Sequence, residues 1–131
     1  MSGKSLDDLG ELQAAIMKAV WELGEGSVRQ VRKRLNRNPA LAYTTVLSAM
    51  QKLEKAGWLG HRREGRTYVY KATQTRGQAS THSLRGVARR VFGGDAKLMF
   101  QHLIADDRLS DDDLAAIREM IDRRRKERGD A

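Results

Sequence analysis

The spacing of apolar residues changes at Gly57. Before that glycine, apolar side chains recur every three to four residues in three successive segments, as in helices that are buried on one side. After it, two short runs rich in β-forming residues are separated by Glu64-Gly65-Arg66, which is typical of a hairpin turn. Three helices followed by a two-stranded ribbon is the order of a winged helix-turn-helix.

The ends of these elements carry their own signals. The first helix is predicted over residues 9–23, and Ser27 with Gln30 forms a capping box that opens the second. Asn36-Arg37-Asn38-Pro39 breaks that second helix. The remaining predictions are a third helix from Tyr43 to about Ala56, with Gly57 just beyond its end, and strands over 58–63 and 67–72.

The second half of the chain is predicted to be helical. Residues 73–80 are polar and form either a linker or the frayed start of a fourth helix, which ends at Phe92-Gly93-Gly94. Residues 96–104 are apolar nearly all round, so this segment must be covered on more than one side. Ser110 caps a last helix. The predicted class is mainly α with a small β-hairpin: a winged-helix domain over residues 1–76 and a helical domain over 77–131.

The positive charge of the chain is local. The formal net charge is +8, but residues 27–76 alone contain twelve basic and two acidic residues. Such a concentration indicates a surface that binds a polyanion, and a solvated basic face is the alternative.

The third helix carries the residues best suited to read DNA. Thr44, Ser48, Gln51 and Lys55 follow one another on the side opposite the apolar stripe. Thr44, Thr45 and Ser48 are predicted to contact bases in the major groove, because short hydroxyl side chains allow close approach. The predicted contacts to the DNA backbone are Arg29, Arg32, Gln51, Lys52, Lys55, Arg62, Arg63 and Arg66.

Other chemistries find little support. Trp58, Tyr68 and Tyr70 could stack on single-stranded bases, but packing of the hairpin against the helices is the expectation. His61, His82 and His102 are far apart in sequence, and the chain has no cysteine, so no metal site is expected. No nucleophile motif, phosphate loop or acid–base pair is evident. We expect no enzyme and no cofactor.

The sequence also bears on location. No run of about 18 apolar residues occurs, and residues 1–12 lack the apolar core of a signal peptide. A cytoplasmic protein with no membrane insertion is the expectation.

Several segments resemble one family closely. LAYTTVLSAMQKLEKAGWL followed by HRREGRTYVYKA, together with the opening LGELQAAIMKAVWELGEGSVRQV and the closing LSDDDLAAIREMID, is similar to the penicillinase-repressor family (the BlaI/MecI/CopY group). The similarity covers about residues 9–126.

This resemblance implies a homodimer that binds a dyad-symmetric double-stranded DNA operator and represses resistance or stress genes. The N-terminal domain would bind DNA through a recognition helix from Tyr43 to Lys55, and the C-terminal helices would form the dimer. The residues implied for the dimer interface are Leu98, Met99, Leu103, Leu114, Ile117 and Ile121. A second subunit would then bury the apolar surface of residues 96–104 that the chain itself leaves uncovered.

The chain departs from the family at two points. Copper-responsive members carry C-terminal cysteines, and the absence of cysteine here excludes that kind of copper sensing. In β-lactam-responsive members, a sensor-linked protease pathway leads to cleavage between an asparagine and a phenylalanine. The matching bond is Gln101-His102, so both residues differ and induction by the same protease is in doubt.

Two other functions fit the basic surface. A winged-helix module that binds RNA or the ribosome needs no dyad symmetry, and an adaptor could bind an acidic protein. Competition between duplex DNA and RNA separates the first of these from a DNA-binding dimer, and low salt sensitivity would indicate the second.

Overall fold

The order of the elements confirms the predicted winged helix-turn-helix. A computed structural model describes residues 4–129. Its helices are α1 (Glu11–Leu23), α2 (Val28–Leu35), α3 (Tyr43–Lys55), α4 (Arg76–Phe92), α5 (Ala96–Ile104) and α6 (Asp111–Gly129). Its strands are β1 (Glu25–Gly26), β2 (Leu59–Glu64) and β3 (Thr67–Ala72), and a 3₁₀ helix over Leu6–Asp8 precedes α1.

The predicted signals act at both ends of the helix-turn-helix. At the start of α2, the Gln30 amide donates to Ser27 Oγ at 3.2 Å, and the Ser27 amide donates to Gln30 Oε1 at 2.8 Å. At the end of α3, Gly57 adopts φ +89°, a left-handed conformation that suits glycine. The Trp58 amide then donates to the Leu53 carbonyl at 2.8 Å, which turns the chain directly into β2.

The ribbon is a three-stranded antiparallel sheet in the order β1-β3-β2. In the hairpin His61 pairs with Tyr70, while Glu25 of β1 pairs with Lys71 on the other side of β3. The sequence did not indicate β1, because two residues that include a glycine carry no strand pattern. This short strand joins the α1–α2 connection to the wing, which we define as β2, β3 and the turn between them.

One apolar core joins the three helices and the wing. The inner stripe of α3 (Val46, Met50 and Leu53) is fully buried and belongs to the same cluster as the inner residues of α1 and the wing. The remaining members with almost no exposed surface are Ile16, Met17, Val20, Val31, Leu59 and Tyr70. Burial of this stripe determines which side of α3 faces outward.

Helix α4 begins earlier than its apolar stripe suggested. The Gln78 amide donates to Thr75 Oγ1 at 3.0 Å, and the Thr75 amide donates to Gln78 Oε1 at 2.8 Å. This second capping box starts the helix at Arg76, so residues 73–75 of the polar segment are loop and residues 76–80 are helix. Ala79 is fully buried and belongs to the core.

The described chain divides into two compact units, with the division between Val87 and Ala88, inside α4. The predicted functional division at residue 76 stays a prediction. In the second unit, α5 spans the predicted residues, and Ser110 caps α6 as expected: the Asp113 amide donates to Ser110 Oγ at 3.0 Å.

We expect Leu53→Ala to destabilise the N-terminal unit strongly. Leu53 is 0% exposed, and truncating such a residue typically costs about 3 kcal/mol of unfolding free energy. Urea unfolding at one fixed protein concentration measures the change. Leu23→Ala is the control, because Leu23 is 37% exposed, buries less apolar area and leaves no closed cavity, so its loss should be smaller. Equal losses for the two variants would contradict the core described above.

Candidate nucleic-acid interface

The outward side of α3 is polar and accessible. Thr44, Ser48, Gln51 and Lys55 are all exposed and lie opposite the buried stripe of the helix. We call these four residues the outer ridge. The ridge has two flanks, and the structure places different predicted residues on each of them.

One flank of α3 faces α1. Thr45 and Lys52 lie on this flank, where they line a shallow groove together with Thr44 and Ser48 of the ridge. Leu12 and Gln13 of α1 and Ala49 of α3 form the rest of the groove. The structure therefore brings the three predicted base-reading residues together, with Thr45 nearest to the α1 side.

The other flank of α3 faces the wing and the start of α2. A cleft of about 520 Å³ lies here, and one side of it is formed by Tyr43 and Gln51 of α3. Among its other lining residues are Ser27, Arg29, Arg66 and Tyr68. The cleft joins basic side chains from α2 and from the wing turn to α3. Tyr43 was not among the predicted site residues, and its position at the start of α3 was the available signal.

The aromatic residues of the wing differ in exposure. Trp58 and Tyr70 are 2% and 1% exposed, so the expectation that they pack against the helices is confirmed. Burial raises the pKa of the Tyr70 hydroxyl, and the nearby charge of Glu54 raises it further. Tyr68 was expected to pack as well, but that expectation is wrong, because Tyr68 is 47% exposed and lines the cleft.

Arg62 is held by two carboxylates. Its guanidinium donates to both oxygens of Glu25, at 2.5 and 3.0 Å, and to Glu64 at 3.0 Å. The hydrogen bond from Arg62 lowers the pKa of Glu25, and Glu25 in turn raises the pKa of Arg62. The predicted contact of Arg62 with the DNA backbone stays a prediction, but its charge is already balanced within the chain.

Two other predicted backbone-contacting arginines have hydrogen bonds to carbonyls. Arg32 Nε donates to the Leu41 carbonyl at 2.5 Å, and Arg63 Nε donates to the Gly65 carbonyl at 3.0 Å. Neither bond neutralises the guanidinium. Arg29, Lys52, Lys55 and Arg66 are exposed, and in residues 4–129 none of them forms a salt bridge with a side chain.

The predicted dimer residues lie in the second unit and are mostly exposed. Leu98, Leu103, Leu114 and Ile121 present apolar side chains to solvent, Ile117 is half-buried, and Met99 is buried at 9% exposure. Leu103, Ile117 and Ile121 line an apolar groove of about 650 Å³ between α5 and α6. Three further exposed side chains, which were not among the predicted dimer residues, also line this groove: Phe100, Ile104 and Met120.

The two residues of the predicted cleavage site lie within a helix. Gln101 and His102 are exposed residues of α5, and the His102 ring lies 5.4 Å from that of Phe92. A protease that cuts an extended chain would have to unwind this part of α5 first.

Within residues 4–129, no helix has the length and apolar character needed to cross a membrane. In the same residues, no group of three or more histidine, aspartate or glutamate side chains is arranged to hold a metal ion.

Comparisons with known proteins agree with this geometry. The family model described as penicillinase repressor matches residues 9–123. The penicillinase repressor of Bacillus licheniformis is 20% identical over 119 residues, which are 91% of this chain and 93% of that protein. The transcriptional regulator BlaI of Mycobacterium tuberculosis is 38% identical over 66 residues, which are 50% of this chain and 48% of that protein. Among solved structures, the hsRosR-S4 complex matches with a TM-score of 0.52 and 18% identity, covering 86% of this chain and 95% of that one.

We expect Arg66 and Arg62 to differ in their contribution to DNA binding. Arg66→Ala should weaken binding to any duplex and flatten the salt dependence by about one charge. Arg62→Ala should change the slope less, because Glu25 and Glu64 already balance its charge. Titration of labelled duplex DNA at several salt concentrations measures both slopes. A larger change for Arg62→Ala than for Arg66→Ala would show that the pairs open when DNA binds.

Proposed function

The chain belongs to the penicillinase repressor family, and from this premise we propose that it is a homodimeric repressor acting in the cytoplasm on a dyad-symmetric DNA operator. The observation that carries the proposal is the outer ridge of α3. It is polar, exposed and flanked by basic side chains whose charges are not balanced within the described chain.

Base recognition is assigned to Thr44, Thr45 and Ser48. Their hydroxyls are small enough to let α3 approach base edges in the major groove, and the threonine methyls can contact thymine methyls. Thr45 lies toward α1, so it would meet a base or sugar on one side of the helix, while Thr44 and Ser48 would face the floor of the DNA major groove.

Contacts to phosphates are assigned to the basic residues around the ridge. Lys52 and Lys55 continue along α3, and Arg29 and Arg66 approach from the cleft on the wing side. Such contacts fix orientation and supply salt-dependent affinity without reading sequence. Arg32, Gln51 and Arg63 are placed to extend the same set.

The dimer is assigned to the exposed apolar side of α5 and α6. Leu98, Leu103 and Ile121 leave a large apolar area in contact with water, which is unfavourable for a monomer and typical of a protein interface. A symmetric pair carries two recognition helices, and each would read one half of a palindrome.

Relief of repression is assigned to loss of this dimer. Cleavage at Gln101-His102 would divide α5 and remove the apolar surface that α5 and α6 form together. A sensor-linked protease is one partner that could relieve repression in this way, another signal that separates the subunits is the alternative, and resistance or stress genes are the proposed targets.

Selection of bound sequences from a random duplex library tests the proposed function. The wild-type chain should recover a palindrome with half-sites roughly 10 bp apart, because successive major grooves on one side of DNA are separated by one turn. Thr45→Ala should lose preference at defined positions while keeping affinity for unrelated duplex. A structured RNA that competes better than the selected duplex would contradict the proposal and favour an RNA-binding module.

Sedimentation combined with operator titration tests the dimer. Leu103→Asp should give monomers and lower operator affinity by roughly 100-fold, because the second half-site is no longer bound by the same particle. Gln101→Asp is the matched control, since it adds the same charge on the opposite side of α5. A Leu103→Asp protein that remains dimeric would place the interface elsewhere.

A further inference from the structure

Glu54 is an unexpected residue on a helix that binds DNA. It is the only acidic residue between Glu25 and Glu64, in the most basic part of the chain. It lies on the wing-facing flank of α3, and 31% of its side chain is exposed. A carboxylate at this position repels phosphates, so its presence needs a structural reason.

The partner of Glu54 is His61 on β2. His61 Nδ1 lies 2.7 Å from each of the two oxygens of the Glu54 carboxylate. An ionised carboxylate can only accept hydrogen bonds, so Nδ1 carries the hydrogen and donates it. The pair joins the last turn of the recognition helix to the first strand of the wing.

Two tyrosines of β3 hold the imidazole of His61 from the sheet side. Its ring centroid lies 4.7 Å from that of Tyr68 and 5.4 Å from that of Tyr70, with interplanar angles of 46° and 44°. Tilted contacts at these distances are favourable between aromatic rings. Since Tyr70 is part of the buried core, the imidazole is fixed both to the core and to α3.

Because of the position of His61 in β2, its hydrogen bond to Glu54 affects where the tip of the wing lies. Beyond His61, β2 continues through Arg63 to the turn that contains Arg66. Any rotation of the hairpin relative to α3 would change the distance between these two arginines and the outer ridge. The Glu54–His61 hydrogen bond opposes that rotation at the point where the strand leaves the helix.

We propose that Glu54 and His61 are positioning residues for DNA binding, which set the wing at a fixed distance from the outer ridge. With the wing held there, Arg63 and Arg66 meet phosphates while Thr44 and Ser48 lie in the groove. The pair acts through these residues and touches no base itself. This inference rests on the proposed function.

Whether Glu54→Ala raises or lowers the affinity for DNA distinguishes a positioning role of Glu54 from a purely electrostatic one. If Glu54 only contributed charge, Glu54→Ala would tighten binding to every duplex, because a negative charge would be removed from the DNA-facing side. If Glu54 positions the wing, the same change weakens binding to the selected operator. Binding to unrelated duplex, which needs no fixed spacing, would stay unchanged or tighten.

The experiment uses the full chain and the operator recovered by selection, with an unrelated duplex of equal length for comparison. Glu54→Ala and His61→Ala should each lower operator affinity about fivefold, the size expected for a partly exposed hydrogen bond to a charged group. The double variant should lose no more than either single variant, because both remove the same interaction. Glu54→Gln keeps an acceptor for Nδ1–H and should recover most of the affinity.

Glu64→Gln is the matched charge control. It removes one negative charge from the wing and leaves the Glu54–His61 pair intact, so it should not weaken operator binding. Hydrogen exchange provides a readout without DNA. In Glu54→Ala, amides of β2 and β3 near the turn should exchange faster, while those of the buried part of α3 should not change.

Several outcomes would overturn the proposal. Operator affinity of Glu54→Ala equal to or above that of the wild type would do so, as would additive losses in the double variant. Should Glu54→Ala fail to fold, His61→Ala carries the test: it should still lose about fivefold, while His61→Gln, which keeps an N–H donor, should bind within twofold of the wild type. A wild-type chain without preference for any duplex overturns both the proposed function and this inference. If the wild-type chain prefers its operator and Glu54→Ala binds that operator with unchanged affinity, only the inference is overturned.

Discussion

Burial of the inner stripe of α3 is the interaction on which the N-terminal unit depends. Val46, Met50 and Leu53 are fully enclosed in a core that also contains side chains from α1, α2 and the wing. Because a helix has a fixed period, enclosing one side determines which residues lie on the other. The exposure of Thr44, Ser48, Gln51 and Lys55 is therefore a consequence of core packing. A slip of α3 by one residue would bury polar groups and lose the outer ridge.

The use of acidic residues around this surface follows one pattern. In residues 25–94 the acids are Glu25, Glu54 and Glu64, and each of them binds a residue of β2. Glu25 and Glu64 bind Arg62, and Glu54 binds His61. Two of these negative charges thus join β2 to its neighbours, Glu25 from β1 and Glu54 from α3. Among the basic residues predicted to contact DNA, those that form no salt bridge with a side chain in residues 4–129 include Arg29, Lys52, Lys55 and Arg66.

Most of the fold could be predicted because its signals are local. Ser27 with Gln30, Gly57, and Ser110 each mark a helix end by their own hydrogen bonds or backbone conformation, and all three act as expected. The two-residue strand β1 escaped prediction because its pairing with β3 bridges about 45 residues of sequence and leaves no periodic pattern. The capping box at Thr75 lies in a polar segment, and the apolar stripe of α4 begins only after that segment. The sequence therefore placed the start of α4 with less precision.

The candidate site was predictable in position but not in pairing. Helical period alone placed the outer ridge on the exposed side of α3. Arg62 meets Glu25, 37 residues away in sequence, only because β1 joins the sheet, and His61 meets Glu54, 7 residues away, only because the sheet packs against α3. Tyr68 lies on the same face of β3 as the buried Tyr70 but two residues nearer the turn, and it is exposed there because the core does not extend that far along the hairpin. The composition of β2 has one more effect. With the order β1-β3-β2, this six-residue strand has a free backbone edge, to which a strand of another molecule could pair. Its outer four residues are His61-Arg62-Arg63-Glu64. Such a row of ionisable side chains discourages edge-to-edge aggregation, so the wing's charges also protect the protein from self-association through its sheet.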